Sequence, residues 1–151
     1  MGEASVKTSV SLKGVRGVVF DTMVLIYLLE DHPVYAAVCE KLFAWAEAGA
    51  FTGAVSPVTM AELVVKPLRA GRTDLADRYQ AALRNLPNVT LCCFSWQTGV
   101  MAGALRAKYG LALPDLFQVA CAMENGGALI TNDKALKRVS EVRVVLLDEI
   151  E

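Results

Sequence analysis

The sequence has few of the side chains that usually mark a site. It contains one histidine, His32, and four cysteines, Cys39, Cys92, Cys93 and Cys121, none of them in a CxxC pair. That excludes the ligand spacing of a zinc centre and the paired framework of a small disulfide scaffold. There is no glycine-rich phosphate loop, no internal repeat and no low-complexity linker. No apolar run approaches the roughly 20 residues that span a bilayer, and the opening MGEASVKTSVSLKG has no apolar core of signal-peptide length. The expectation is a soluble, cytoplasmic chain without a membrane partner. Positive charge is not in excess either: 15 Lys and Arg face 16 Asp and Glu, for a formal net charge of −1. This argues against a general nucleic-acid coat, so any phosphate-bearing partner must be held locally.

Apolar residues, by contrast, are plentiful. At 151 residues and 54% hydrophobic composition, the chain is the size of one domain with a sizeable core. One domain is expected over 15–151, preceded by a flexible tail over 1–14. Short β-branched runs suggest strands at Gly17 to Phe20, Phe51 to Val55, Val89 to Phe94, Ala128 to Thr131 and Val142 to Leu147. None alternates cleanly with polar residues, as expected of parallel strands buried on both faces. Helical patterns lie between them. Residues 33–48 place Val34, Val38, Leu42 and Trp45 at three- and four-residue steps, with Pro33 in the first turn. Ser56-Pro57 opens another helix, 71–74 divide it from the next, Ser95 caps a further one, and Pro114 opens the last long one. The order β-α-α-β-α-α-β-α-α-β-α-β predicts a three-layer α/β/α sandwich around a five-stranded, mainly parallel sheet. The mean hydropathy of +0.40 is high for a lone soluble monomer, which points to a homodimer or other partner.

Two of these strands stop at an aspartate: VVF runs into Asp21, and ALIT into Asn132 and Asp133. Ligands of parallel α/β sheets bind outside the carboxyl ends of the strands, which is where both aspartates fall. Each also has an ordinary explanation. Asp21 and Asp133 can cap the helices that follow them, Asp115 can face the helix dipole after Pro114, and Thr59 with Glu62 fits a capping box. Their combination suggests more. Asp115 and Asp133 lie 18 positions apart, at the two ends of one helix-strand unit, and so return to the same sheet edge. Glu62 sits in MAELVV, on a helix leaving that edge. Two carboxylates about 5 Å apart repel by about 3 kcal/mol at an effective dielectric of 20, so such a cluster must take up protons or a cation. With only oxygen ligands, the cation expected is Mg²⁺ or Mn²⁺. Such an ion activates water against a phosphodiester.

FDTMVLIYLL, VSPVTMAELV and LPDLFQVACAMENGGALITNDKAL, in that order, resemble the PIN-domain family, particularly the small ribonuclease toxins of VapBC-type toxin–antitoxin pairs. The resemblance runs from Val15 to Leu147. It implies a divalent-metal site, endonuclease action on RNA and an antitoxin partner. The family's acidic quartet falls on Asp21, Glu62, Asp115 and Asp133, with Thr131 as the hydroxyl of its threonine-x-aspartate motif. Asp21, Asp115 and Asp133 are then the expected metal ligands, and Glu62 holds a second ion or orients the attacking water. Met23 departs from the Asn or Ser that the family often carries there; Thr22 or Asn132 are the candidate replacements. Lys66, Arg69 and Lys134 are candidate RNA-phosphate contacts, as are Lys137 and Arg138, while the helix with Val34, Val38, Leu42, Phe43 and Trp45 is the candidate partner surface. Two rival readings remain. An aspartyl-nucleophile phosphatase needs an acid where Met23 stands, and a PIN-like module that has lost turnover would act through metal or partner binding alone.

Overall fold

The computed structural model describes residues 8–151. Strands Gly17–Phe20 (β1), Thr52–Val55 (β2), Val89–Leu91 (β3), Ala128–Thr131 (β4) and Arg143–Leu146 (β5) form one sheet in the order β3-β2-β1-β4-β5. Every pairing is parallel. Helices Thr22–Leu29 (α1), Ala36–Glu47 (α2), Pro57–Arg69 (α3), Thr73–Arg84 (α4), Trp96–Tyr109 (α5) and Leu113–Glu124 (α6) connect them, with a 3-10 turn at Lys134–Arg138 before β5. Among the described residues no helix is long and apolar enough to cross a membrane. Of the segment 1–14 set apart as a tail, residues 1–7 lie outside the described residues, and Leu12 is buried in the core.

The two faces of the sheet use alternate residues of the same strands, because successive side chains point to opposite sides. Val18, Phe20, Ile130 and Val145 pack with Leu25, Cys39, Leu42, Phe43, Leu63 and Leu83 of α1 to α4. Val19, Ala54, Leu129 and Val144 pack with Ala102, Leu105, Leu116 and Val119 of α5 and α6. This is why the central strands read as unbroken apolar runs. The three-layer sandwich expected from the order of elements is the one observed.

Three expectations are corrected. The third strand ends at Leu91, not Phe94, and it is not buried on both faces: it forms the sheet's edge, with Leu91 43% exposed. The second helix begins at Ala36, not Pro33. His32 Nδ1 accepts the N–H groups of Val34 and Tyr35, both at 3.1 Å, which holds 33–35 in a turn and leaves Val34 exposed. Leu42 and Phe43 face the core, so this helix does not offer them to a partner. The Ser95 cap does form, as a full capping box with Thr98.

The start of β4 sits tightly against β1. A Cβ added at Gly127 would lie 2.0 Å from the carbonyl oxygen of Gly17, a backbone atom that cannot turn aside. Gly127→Ala is therefore expected to destabilise the protein by about 2 kcal/mol or more. Gly49→Ala, at a glycine with open space around it but a φ of +86°, tests strain without a clash. Urea unfolding of the two variants should rank Gly127→Ala as the more damaging.

Candidate functional site

The register of the sheet sets the first two acids side by side. Phe20 pairs with Ile130, and the Asp21 N–H donates to the Ile130 carbonyl at 2.9 Å, so the residue after β1 lies beside the last residue of β4. There the Thr131 hydroxyl donates to Asp21 Oδ2 at 2.6 Å, while the Thr22 N–H donates to Oδ1 at 2.8 Å. The same Thr131 oxygen accepts the Asp133 N–H at 3.1 Å. Asp133 Oδ1 accepts the Ala135 N–H at 3.0 Å and so caps the following 3-10 turn. Capping and a place at the strand edge are thus compatible for both aspartates. The capping box proposed for Thr59 and Glu62 is not formed: α3 begins at Pro57, and Glu62 Oε1 instead accepts the Thr22 hydroxyl at 2.9 Å. Asp115 lies in the first turn of α6.

Electrostatics shows that these acids sense one another. Burial pushes the Asp115 carboxyl up to about 6, and the nearby charges of Asp21, Asp133 and Glu62 add to the rise. Asp21 is also raised, first by burial and then by Asp133, against the lowering effect of its hydrogen bonds from Thr131 and Thr22. Among the described residues no Lys, Arg or His forms an ion pair with any of the four. Nor, among the described residues, do three or more His, Cys, Asp or Glu side chains already converge closely enough to ligate one ion. The quartet is close enough to repel but is not drawn together.

Behind the acids lies a neutral polar network that the sequence reading missed. Gln118 is 1% exposed, three residues after Asp115 on the same face of α6. Its Nε2 donates to Thr59 Oγ1 at 2.9 Å and approaches Thr22 Oγ1 at 3.4 Å, while its Oε1 accepts the Ser56 hydroxyl at 2.6 Å. Gln118 therefore joins α6 to the helices that carry Asp21 and Glu62. A lone amide, Gln118, set between Phe117 and the apolar run VACAM of α6, was the available signal. Of the proposed replacements for an Asn or Ser at Met23, Thr22 does reach Glu62, but Asn132 donates to the Tyr27 hydroxyl at 3.2 Å. Met23 itself is 39% exposed.

The basic candidates divide. Lys66 makes an exposed 3.5 Å pair with Glu30, and Arg69 and Lys134 are exposed. Lys137 is instead engaged by Glu149 at 2.6 Å and by the Val144 carbonyl at 2.9 Å, which gives it a structural role. Phe94 stacks on Phe117, and Tyr109 bonds Ser140 and Glu141, so neither is a free base platform; Trp96 is 86% exposed.

The fold and this edge define a class, a parallel α/β/α domain with carboxylates at the ends of its central strands. Residues 18–142 match the PIN domain model, and the chain belongs to the PIN-domain family. Solved structures agree. A VapBC2 complex from Rickettsia felis bound to a promoter DNA fragment superposes with a TM-score of 0.69 at 18% identity, over 86% of this chain and 98% of that one. A toxin–antitoxin complex from Klebsiella pneumoniae gives 0.67 at 25% identity, over 86% and 97%. DNA-bound VapBC from Salmonella typhimurium gives 0.68 at 16%, over 87% and 98%. No curated protein matches the chain in sequence.

Two expectations follow from the geometry. Because the folded Asp115 carboxyl titrates near 6 rather than 3.8, the folded state binds the extra proton between those values, and stability falls as pH rises through that window. Asp115→Asn should flatten this part of the slope and, with solvent screening, stabilise the protein at pH 7.5 by on the order of 1 kcal/mol, read by urea unfolding at pH 4 to 8. Gln118→Leu should do the opposite. It leaves the Ser56 and Thr59 hydroxyls without their buried partner and is expected to cost about 2 kcal/mol at every pH in that range.

Proposed function

We propose that the chain is a metal-dependent endoribonuclease, using Mg²⁺ or Mn²⁺, and the toxin of a toxin–antitoxin pair. The observation that carries this reading is the acidic quartet at the carboxyl edge of a PIN domain, where the charges of Asp21, Asp133 and Glu62 all bear on Asp115 and no cation among the described residues pairs with any of the four. The donor set fits such an ion, because it is all oxygen and carries the negative charge a hard cation needs. Asp21, Asp115 and Asp133 would hold it, directly or through water, and Glu62 would hold a second ion or orient the attacking water. When bound, the ion supplies an acidified water and stabilises negative charge on the phosphate.

The remaining steps belong to the chain's own groups. Thr131 fixes one Asp21 oxygen, and Thr22 both donates its N–H to the other and aims Glu62. Lys66, Arg69 and Lys134 hold RNA phosphates near the edge; the exposed Lys66–Glu30 pair is weak enough to open for this. The products carry a 5′-phosphate and a 3′-hydroxyl. An antitoxin partner is supported by the resemblance to toxin–antitoxin complexes. A groove of about 260 Å³, lined by Leu29, Leu63, Pro67 and Tyr79 together with the charged Glu30, Glu62, Lys66 and Arg72, offers a partner segment a seat beside Glu62. A homodimer is supported by the exposed Trp96, Val100 and Leu113 on α5 and α6.

A second reading, a PIN module that binds metal or partner without turnover, is favoured by Met23 and by acids that do not yet converge. One experiment separates the two: cleavage of structured and single-stranded RNAs with Mg²⁺, Mn²⁺ or EDTA, comparing the protein with Asp115→Asn prepared identically. Cleavage that requires metal and drops at least about a hundredfold in the variant is the expected result. Equal inertness of both proteins without any rise of Tm on adding Mg²⁺ would instead favour the silent module, whereas a Mg²⁺-dependent rise in the unmodified protein alone would favour an intact site whose RNA lies outside the panel.

A further inference from the structure

The hydrogen bonds behind Glu62 can be counted proton by proton. Thr59 and Glu62 lie three residues apart on α3, and so on one side of that helix, while Thr22 opens α1 and Gln118 sits on α6. Thr22, Thr59, Ser56 and Gln118 are buried, whereas Glu62 is exposed. Three contacts run in a row: Gln118 Nε2 to Thr59 Oγ1 at 2.9 Å, Thr59 Oγ1 to Thr22 Oγ1 at 3.1 Å, and Thr22 Oγ1 to Glu62 Oε1 at 2.9 Å. Each contact needs one proton. The two threonine hydroxyls supply one apiece, and Glu62, as a carboxylate, supplies none. The third must come from the Gln118 amide.

That count fixes the direction of every bond. With the amide donating to Thr59, the Thr59 hydroxyl turns to Thr22 and the Thr22 hydroxyl turns to Glu62. At the other end of the amide, Oε1 accepts the Ser56 hydroxyl at 2.6 Å, so the carbonyl end faces away from Thr59. The second Nε2 proton lies toward Thr22 Oγ1 at 3.4 Å and further keeps that hydroxyl from donating inward. Turning the amide over would leave the Thr59 and Thr22 oxygens, 3.1 Å apart, without a proton between them in a buried setting.

We propose that Gln118 is a positioning residue for Glu62: its amide drives a one-way chain through Thr59 and Thr22 that pins one oxygen of an exposed carboxylate. What the pinned group then does, holding a second ion or orienting the attacking water, rests on the nuclease reading above. Oε1 is committed to Thr22, and Oε2 has no ion-pair partner among the described residues. An exposed glutamate has many rotamers open to it, and pinning one oxygen removes that freedom before metal or water arrives. Gln118 also follows Asp115 by three residues on α6. One helix therefore presents one acid directly and sets a second through the chain.

The test compares the full chain with Gln118→Met, which keeps the side-chain shape and removes the amide, with Thr59→Val, which breaks the middle link, and with Thr59→Ser, which restores it. Ser56→Ala is the control, because it removes a buried partner of the same amide and leaves the bonds toward Glu62 in place. Circular dichroism and urea unfolding establish that each variant folds. The readouts are the ¹³C NMR signal of the Glu62 carboxyl carbon in metal-free protein, assigned with Glu62→Gln, and Mn²⁺ affinity by electron paramagnetic resonance. Gln118→Met and Thr59→Val should both move the Glu62 signal and weaken Mn²⁺ binding roughly tenfold to a hundredfold. Thr59→Ser and Ser56→Ala should keep both near the wild-type values. Should Gln118→Met fail to fold, Thr59→Val carries the same comparison. The proposal is overturned if the folded variants keep the wild-type Glu62 signal or bind Mn²⁺ as tightly as the wild type. It is equally overturned if Ser56→Ala disturbs Glu62 as much as Gln118→Met, since the amide would then serve packing alone. Wild-type protein that leaves every RNA intact while its Glu62 signal responds as expected would sink the nuclease reading and leave the positioning role standing.

Discussion

Burying the Asp21 carboxylate at the end of the central strand is the constraint on which the site depends. The residue is 6% exposed, and no cation of the described residues pairs with it. A carboxylate removed from water must recover hydrogen bonds or give up its charge. Two donors meet it, the Thr22 N–H and the Thr131 hydroxyl, and each comes from an element fixed by Asp21's own neighbours. Parallel pairing of β1 with β4 brings Thr131 alongside, and the first turn of α1 turns the Thr22 amide inward. The hydroxyl of Thr131 then accepts the Asp133 N–H, so one side chain positions two acids.

The same economy governs the second layer of contacts. Helices α1, α3 and α6 leave or enter the sheet at one edge, and their packing there would bury hydroxyls with no water to satisfy them. Gln118 resolves this with one amide, accepting from Ser56 and donating to Thr59, while Thr22 donates onward to Glu62. Among the described residues no buried side-chain nitrogen or oxygen is left without a partner. A fully satisfied network in a low-dielectric setting is stiff, and it leaves the carboxylates as the groups whose charge is not balanced.

Much of this was legible from residue order. The runs VVF and ALIT gave their strands because residues packed on both faces of a parallel sheet must be apolar at consecutive positions, and the aspartates after them mark the edge where that packing ends. The edge strand β3 was less legible. VTLCCF is as apolar as a central strand, yet only Val89 to Leu91 pair, and pairing partners are a property of the assembled sheet. Pro33 misled because a proline suits either a first helical turn or the turn before it, and the His32 ring decided between them. Gln118, Thr59 and Ser56 were not legible as a unit, since 62 residues separate Ser56 from Gln118 and no local pattern couples them.

Repulsion among the acids adds to the burial that raises the Asp115 carboxyl, and it opposes their convergence. Carboxylates about 5 Å apart repel by about 3 kcal/mol per pair at an effective dielectric of 20, so side chains free to move will spread. Asp21 cannot move, being clamped by Thr131 and Thr22, and Glu62 is held by Thr22. Asp133 is exposed and turns to its own helix cap, and Asp115, half-buried with no hydrogen-bonding side chain on it among the described residues, answers by holding its proton more tightly. The clamped acids therefore fix where positive charge would be favoured. On the proposed nuclease reading, Asp115 and Asp133 are the side chains whose rotation would complete a set of oxygen ligands around it.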